Sequence, residues 1–254
     1  QQSGFNVTEY ELNWNDCNSG KFRTATELFP TILENPDDFN RLRILDFSWS
    51  FIFGSCRRYI NFGPVPLFGT GKNADKIFRS IRTHNIDFFM SIGDQVYFDP
   101  IGDLFRDKTL KDMRKKYKKV RSFKNIRNLM ANTPTYEICD DHDMHKNDTN
   151  YNKKMKERDV WNNGYRAYLE YQHLNRNYDD HIWYTFERNN ATFFVFDTRT
   201  ERDERTVDDH GLPKPPQIIS NYQLNSFEDW ITDANNSDKI KFIVSSVPII
   251  SQDT

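Results

Sequence analysis

Gly93-Asp94, with Tyr97 three residues further on, closes an apolar run from Ile86 to Ile92. Carboxylate and phenolate are hard oxygen donors, and a loop that brings both to the tip of a buried strand suits a divalent or trivalent metal. A second acidic knot, Cys139-Asp140-Asp141-His142-Asp143, also follows an apolar run. Cys56 follows Phe51 to Ser55, and Asp197 and Arg199 follow Phe193 to Phe196. Reactive groups thus collect where apolar runs stop.

Together they imply metal-dependent hydrolysis of phosphate esters. Such chemistry needs positive charge on the phosphoryl oxygens and an activated water, which a two-metal site supplies. Asp94 and Asp141 are the candidate bridging carboxylates. A thiolate from Cys56 and a phenolate from Tyr97 would neutralise a trivalent iron. His142 could protonate the leaving alkoxide, with Asp143 or Asp140 fixing its tautomer. Arg58 and Arg199 could grip phosphate through bidentate hydrogen bonds. Structural readings stand beside these. A Gly-Asp after a strand is a common turn, and an Asp-rich run suits a helix N-terminus. Cys139, inside a strand pattern, reads as core, and His84, His173, His181 and His210 as structural or surface residues.

The elements that must position these groups follow from periodicity. Strands are expected over 43–54, 86–92, 134–139, 181–187, 192–197 and 239–247. Helices are expected over 73–84, 107–131, 153–173 and 219–235, with Asn189-Asn190 as a hairpin turn. Alternating strands and helices argue for an α/β fold with a partly parallel sheet. In such sheets ligands bind at the carboxyl ends of the strands, where the reactive groups fall. Residues 1–40 read as a polar N-terminal extension, and 41–254 as the main domain.

Composition limits the alternatives. The 254 residues hold 37% hydrophobic and 15% aromatic residues, ample for a core despite 28% charge. A net charge of -2 argues for no particular partner. No apolar stretch is long enough to span a membrane. The basic run from Lys108 to Arg127 reads as a solvated helix face, so nucleic acid is not the expected partner. Cys17, Cys56 and Cys139 show no zinc spacing and, being odd in number, cannot all pair. The sequons at Asn6, Asn147, Asn190 and Asn235 lean towards a secreted glycoprotein.

Four motifs in order resemble the alkaline phosphatase D (PhoD-like) family: Phe53-Gly54-Ser55-Cys56-Arg57-Arg58; Gly93-Asp94-Gln95-Val96-Tyr97-Phe98-Asp99; Asp140-Asp141-His142-Asp143 with Asn147-Asp148; and Phe196-Asp197-Thr198-Arg199. The stretch from Tyr222-Gln223-Leu224 to Trp230 is similar to the family's Gln-Leu…Trp helix. The likeness runs over about residues 48–250. The Gly-Asp-x-x-Tyr element is also similar to that of purple acid phosphatases, within the wider calcineurin-like superfamily. The resemblance implies a layered α/β/β/α sandwich and phosphomonoesterase or phosphodiesterase activity. It implies iron, with calcium or another divalent ion nearby. By position, Cys56, Asp94 and Tyr97 resemble the iron ligands and Asp141 a further ligand. His142 resembles the catalytic histidine, and Arg199 the phosphate-binding arginine. The chain departs from the family at Cys139, usually aromatic, and at His145, usually Gly. The family's later metal-binding stretch is expected beyond Val247, outside these residues. The competing expectation is therefore a catalytically degenerate domain serving as a structural or binding subunit of a larger assembly.

Overall fold

The structure is a computed structural model that describes residues 9–14, 17–23, 49–59, 75–100, 102–103, 106–172, 181–203, 206–211, 213–214 and 217–249. Within the expected N-terminal extension, β1 (Glu9–Trp14) and β2 (Cys17–Arg23) pair antiparallel. The expected strand over 43–54 is β3 (Phe51–Gly54), and residues 43–48 lie outside the described ones. Then come α1 (Lys76–Ile81), β4 (Phe88–Ile92), α2 (Leu110–Arg121), α3 (Lys124–Met130) and β5 (Thr135–Ile138). A one-turn helix α4 (Asp141–Met144) leads to α5 (Tyr151–Lys156) and α6 (Arg158–Tyr171). The chain goes on through β6 (Tyr184–Arg188), β7 (Ala191–Val195), the short pair β8 (Thr206–Val207) and β9 (Pro213–Lys214), α7 (Asn221–Thr232) and β10 (Ile240–Val244). The β6–β7 hairpin turns at Asn189, whose φ of 50° an Asn tolerates.

Two sheets form the centre. One is parallel, in the order β3-β4-β5; the other is mixed, in the order β10-β7-β6. The side chains alternate as a pleated strand requires. Phe88 and Met90 of β4 pack with Phe193 and Val195 of β7 in a shared core between the sheets. Phe51 stacks on Phe88 at 4.9 Å, and Phe193 on Phe242 at 4.7 Å; Phe51 meets Phe193 edge-on at 5.8 Å. On the opposite face of the first sheet, Phe89 packs with Phe78 and Ile81 of α1 and Ile126 and Leu129 of α3. On the outer face of the second, Phe194 packs with Trp183, Phe196 and Trp230, the last from α7. The order of layers is therefore helix, sheet, sheet, helix, the α/β/β/α sandwich the resemblance implied.

Two long helices expected from periodicity are each broken. The stretch 107–131 divides at Ser122-Phe123, where Phe123 takes an extended conformation and meets Tyr59 edge-on at 4.7 Å. Asp75 then accepts from the N–H groups of Asn125 (2.6 Å) and Ile126 (2.9 Å), satisfying the exposed start of α3. The stretch 153–173 divides at Glu157, whose φ of -129° and ψ of 45° are not helical. Among the described residues no helix is long and apolar enough to cross a membrane. The sequon residues Asn147, Asn190 and Asn235 are exposed; Asn6 lies outside the described residues.

Candidate metal centre

Each sequence-flagged loop follows a strand of the sandwich, and short-range backbone geometry aims it. Gly93 (φ 104°) and Asp94 (φ 58°) are consecutive left-handed residues that turn the chain sharply at the end of β4. A Cβ on Gly93 would sit 2.6 Å from Asp140 Cβ, so the two loops touch only because residue 93 has no side chain. Cys56 (φ 59°) and Asp148 (φ 54°) are also left-handed, a conformation that costs non-glycine residues energy and gathers at functional sites. The Cys56 and Arg57 N–H groups donate to the Gly93 and Asp94 carbonyls at 3.3 and 2.8 Å, docking the first loop on the second. Val96 and Phe98 anchor the loop from below, buried with Met113 and Tyr117 of α2 and Ala167 of α6.

Asp94 is the focus. Its Oδ2 accepts from Tyr97 Oη at 2.8 Å and from Cys56 Sγ at 3.5 Å, so thiol and phenol converge on one oxygen. Its Oδ1 is buried and has no hydrogen-bond partner. An orphaned buried carboxylate oxygen is costly, and it marks a place for a proton or a cation. Donor atoms of Asp94, Asp141 and His142 all lie within 4.8 Å of one another. Burial raises the Asp94 pKa, with the charge of Asp141 adding to it. Burial also pushes Asp140 up to about 6, even though the Arg199 charge pulls it down. Burial and the charge of Asp94 push Asp143 up to about 8. Carboxylates crowded this way resist ionising together until a cation joins them. The observed set joins hard oxygen donors to a softer thiol and an imidazole, a mixture that suits a transition-metal ion. The residues present fit one.

The remaining predicted residues fall into two groups. Asp141 Oδ1 accepts from His142 N at 3.0 Å, Oδ2 accepts from Asp148 N, and Arg199 Nη2 stands 3.6 Å away. Arg199 is buried, donates Nε to Asp140, and holds an Nη1 with no hydrogen-bond partner. His142 stacks on Tyr97 at 4.2 Å. Arg58 donates its Nε to the Pro100 carbonyl at 3.0 Å. Cys139 is buried, as a core residue should be.

The partner of His142 is a correction. Neither Asp140 nor Asp143 holds the ring; Asp99 does, its Oδ1 lying 2.5 Å from Nδ1. Burial works against the charged imidazole, but the hydrogen bond to Asp99 and its charge carry the pKa above the ordinary histidine value. Asp99 Oδ2 meanwhile accepts from Asn147 N at 2.9 Å, which fixes the carboxylate. Asp143 has a different task. It is fully buried and accepts from the N–H groups of Asp94 (2.6 Å), Gln95 (2.7 Å), Val96 (3.0 Å) and Asp140 (2.9 Å). It thereby ties the loop after β4 to the start of α4. Gln223 of α7 does similar work for the Arg199 turn, accepting from Asp197 N at 2.9 Å and donating to Asp197 O at 3.0 Å. A Gln buried in an amphipathic helix was the visible signal for it.

Residues 51–253 match the PhoD-like phosphatase family. The chain belongs to that family. The solved structure of PhoD is similar in fold, with a TM-score of 0.53 and 19% identity; the match covers 89% of this chain. The chain spans 44% of the length of that PhoD chain. No curated protein sequence matches it. In a chain of the PhoD-like family, Asp94, Asp141 and His142 form a candidate metal-binding cluster.

Proposed function

We propose that this chain carries metal-binding residues of a phosphoesterase site that hydrolyses phosphate mono- or diesters with iron and a second metal, calcium or another divalent ion. The observation that carries the reading is the Asp94 carboxylate. One oxygen is shared by Tyr97 and Cys56, and the other is buried without a partner beside Asp141 and His142. Cys56, Asp94, Tyr97 and Asp141 would hold the metal, which would supply Lewis-acid charge and a water of lowered pKa. The chain's own residues do the rest. Arg199, braced by Asp140, offers to a phosphoryl oxygen its Nη1, which makes no hydrogen bond and lies 3.6 Å from Asp148 Oδ1. His142, with Nδ1 held by Asp99, keeps Nε2 for proton delivery to the leaving alkoxide. Asp143 and Gln223 keep the two loops in register.

The test is metal analysis of the natural full-length protein, together with assays on 4-nitrophenyl phosphate and bis(4-nitrophenyl) phosphate. Bound iron and metal-dependent release of nitrophenol are expected. A protein that neither retains metal nor cleaves either ester would overturn the reading and favour a structural subunit of a larger assembly.

A further inference from the structure

A cavity of about 460 Å³ opens beside the metal centre, between β3, β4 and α1. Ile52, Phe78, Ile81 and Phe89 make most of its wall apolar, and Arg57, Arg58, His84 and three serines also line it. One end is formed by Cys56, whose Sγ lies 3.5 Å from Asp94 Oδ2, and by Gln95, next in sequence to Asp94. The cavity is thus continuous with the site rather than remote from it. Its volume falls in the usual range for small-molecule pockets, roughly 300–1,000 Å³.

The rim is unusual. Phe53 is 64% exposed and Ile77 61%, and both line the cavity. Single exposed apolar residues are ordinary. Two large ones lining the same hollow enlarge its exposed apolar edge, and exposed apolar surface beside a cavity marks binding surfaces. The two arginines that line the cavity are partly engaged within the protein. Arg58 spends its Nε on the Pro100 carbonyl, and the Arg57 guanidinium lies over the Phe78 ring at 5.2 Å. A ligand in this cavity meets mainly hydrocarbon and ring faces, with Cys56 among the residues that line it.

We infer that this cavity receives the alcohol portion of the phosphate ester and selects esters of apolar alcohols, alkyl chains or flat rings, over polyols. The inference rests on the phosphoesterase reading of the adjoining centre. Ile77 and Phe53 are the specificity-determining residues at the rim. Neither belongs to the catalytic or metal-binding machinery.

The experiment uses n-alkyl phosphates from ethyl to hexyl, whose leaving groups share one basicity, so that chain length reports on the pocket and not on the chemistry. The natural full-length protein loaded with metal is expected to show kcat/KM at least tenfold higher for hexyl than for ethyl phosphate. Each buried methylene should add to the gain. Ile77→Lys and Phe53→Ser, both at exposed positions that spare the core, should flatten the series while leaving ethyl phosphate turnover unchanged. Calorimetric binding of hexylphosphonate against ethylphosphonate supplies a readout that needs no turnover, with the same tenfold preference expected. A flat series in hydrolysis and in binding would overturn the inference while leaving the phosphoesterase reading intact, as would a slope that survives both substitutions. Chain-length-dependent phosphonate binding lost in the variants, without hydrolysis of any ester, would support the pocket and overturn the phosphoesterase reading instead.

Discussion

Two charged clusters flank the one-turn helix α4, and they differ in kind. At its start lie Asp94, Asp140, Asp141 and Asp143, carboxylates in excess, with burial raising three of them and an orphaned oxygen on Asp94. Just past its end, Arg106 donates to both Glu157 oxygens, the Nη1 contact at 3.0 Å, and Lys146 reaches Glu157 at 2.8 Å and Asp103 at 3.3 Å. There the Arg106 hydrogen bond holds Glu157 down to about 2, while burial and then the Arg106 charge keep His145 down at about 4 and neutral. One cluster has its charge balanced by the chain itself; the other has not. A balanced network fixes structure, whereas an acidic excess with an unpartnered oxygen awaits a cation.

The largest expected effect breaks both clusters at once. Gly164 of α6 lies against the Met144 backbone, and a Cβ there would fall 1.6 Å from Met144 O. Because backbone cannot yield as a side-chain tip does, Gly164→Ala should cost about 3 kcal/mol in urea unfolding. A loss under about 0.5 kcal/mol would show that α4 is not clamped between the clusters. Next comes the acidic cluster alone. Asp94→Asn should weaken metal binding by about 100-fold or more, since even residues behind the ligands are worth 10–100-fold. In metal-free protein the same substitution should leave stability unchanged or raised, because it removes a buried carboxylate whose charge is disfavoured. Equal metal content in wild type and variant, read by mass spectrometry, would contradict the comparison.

A third and smaller effect concerns the histidine between the clusters. Asp99→Asn removes the group that raises the His142 pKa, so the limb of the kcat/KM profile set by His142 should move to lower pH. Turnover should fall by about tenfold or more, as for other residues that orient a reacting group. An unshifted limb would mean that Asp99 holds only Asn147.

The acidic side of the comparison was legible in the sequence because chemistry-bearing types stood at the ends of apolar runs. Asp94, Tyr97, Asp141 and His142 needed only that pattern to be singled out. The partner of His142 was not legible. Asp143 and Asp140 stand one and two residues from His142 in sequence, whereas Asp99, which holds the ring, is 43 residues away, so proximity along the chain pointed to the wrong carboxylates. The strand pattern of the sandwich came through because its apolar runs stand out in the sequence, and in the structure Phe88 and Met90 meet one core cluster while Phe89 meets the other. Breaks within helices did not come through. A 3.6-residue period runs across Glu157 undisturbed, and the break there coincides with contacts to Arg106, 51 residues earlier, and to Lys146 in the segment after α4.

The balanced cluster offers the smallest and sharpest test. Glu157→Gln keeps the shape but removes the charge that Arg106 and Lys146 share. The Arg106 side chain is 1% exposed and that of Glu157 29%, so solvent screens part of the pair. A loss of about 1 kcal/mol near neutral pH is expected, below the usual range for a hydrogen bond to a charged group. Its pH dependence follows from the direction of the shift. Glu157 is held down from 4.5 to about 2 in the folded chain, so its contribution is complete above the unfolded value. As pH falls from 4.5 towards about 2, that contribution is lost. Wild type and variant should therefore differ by a constant amount above pH ~5 and converge below it, when both are unfolded by urea at stepped pH. A difference that persists undiminished to pH ~2.5 would mean that Glu157 acts through shape alone, and the contrast between a charge-balanced cluster and an acidic one would lose its balanced half.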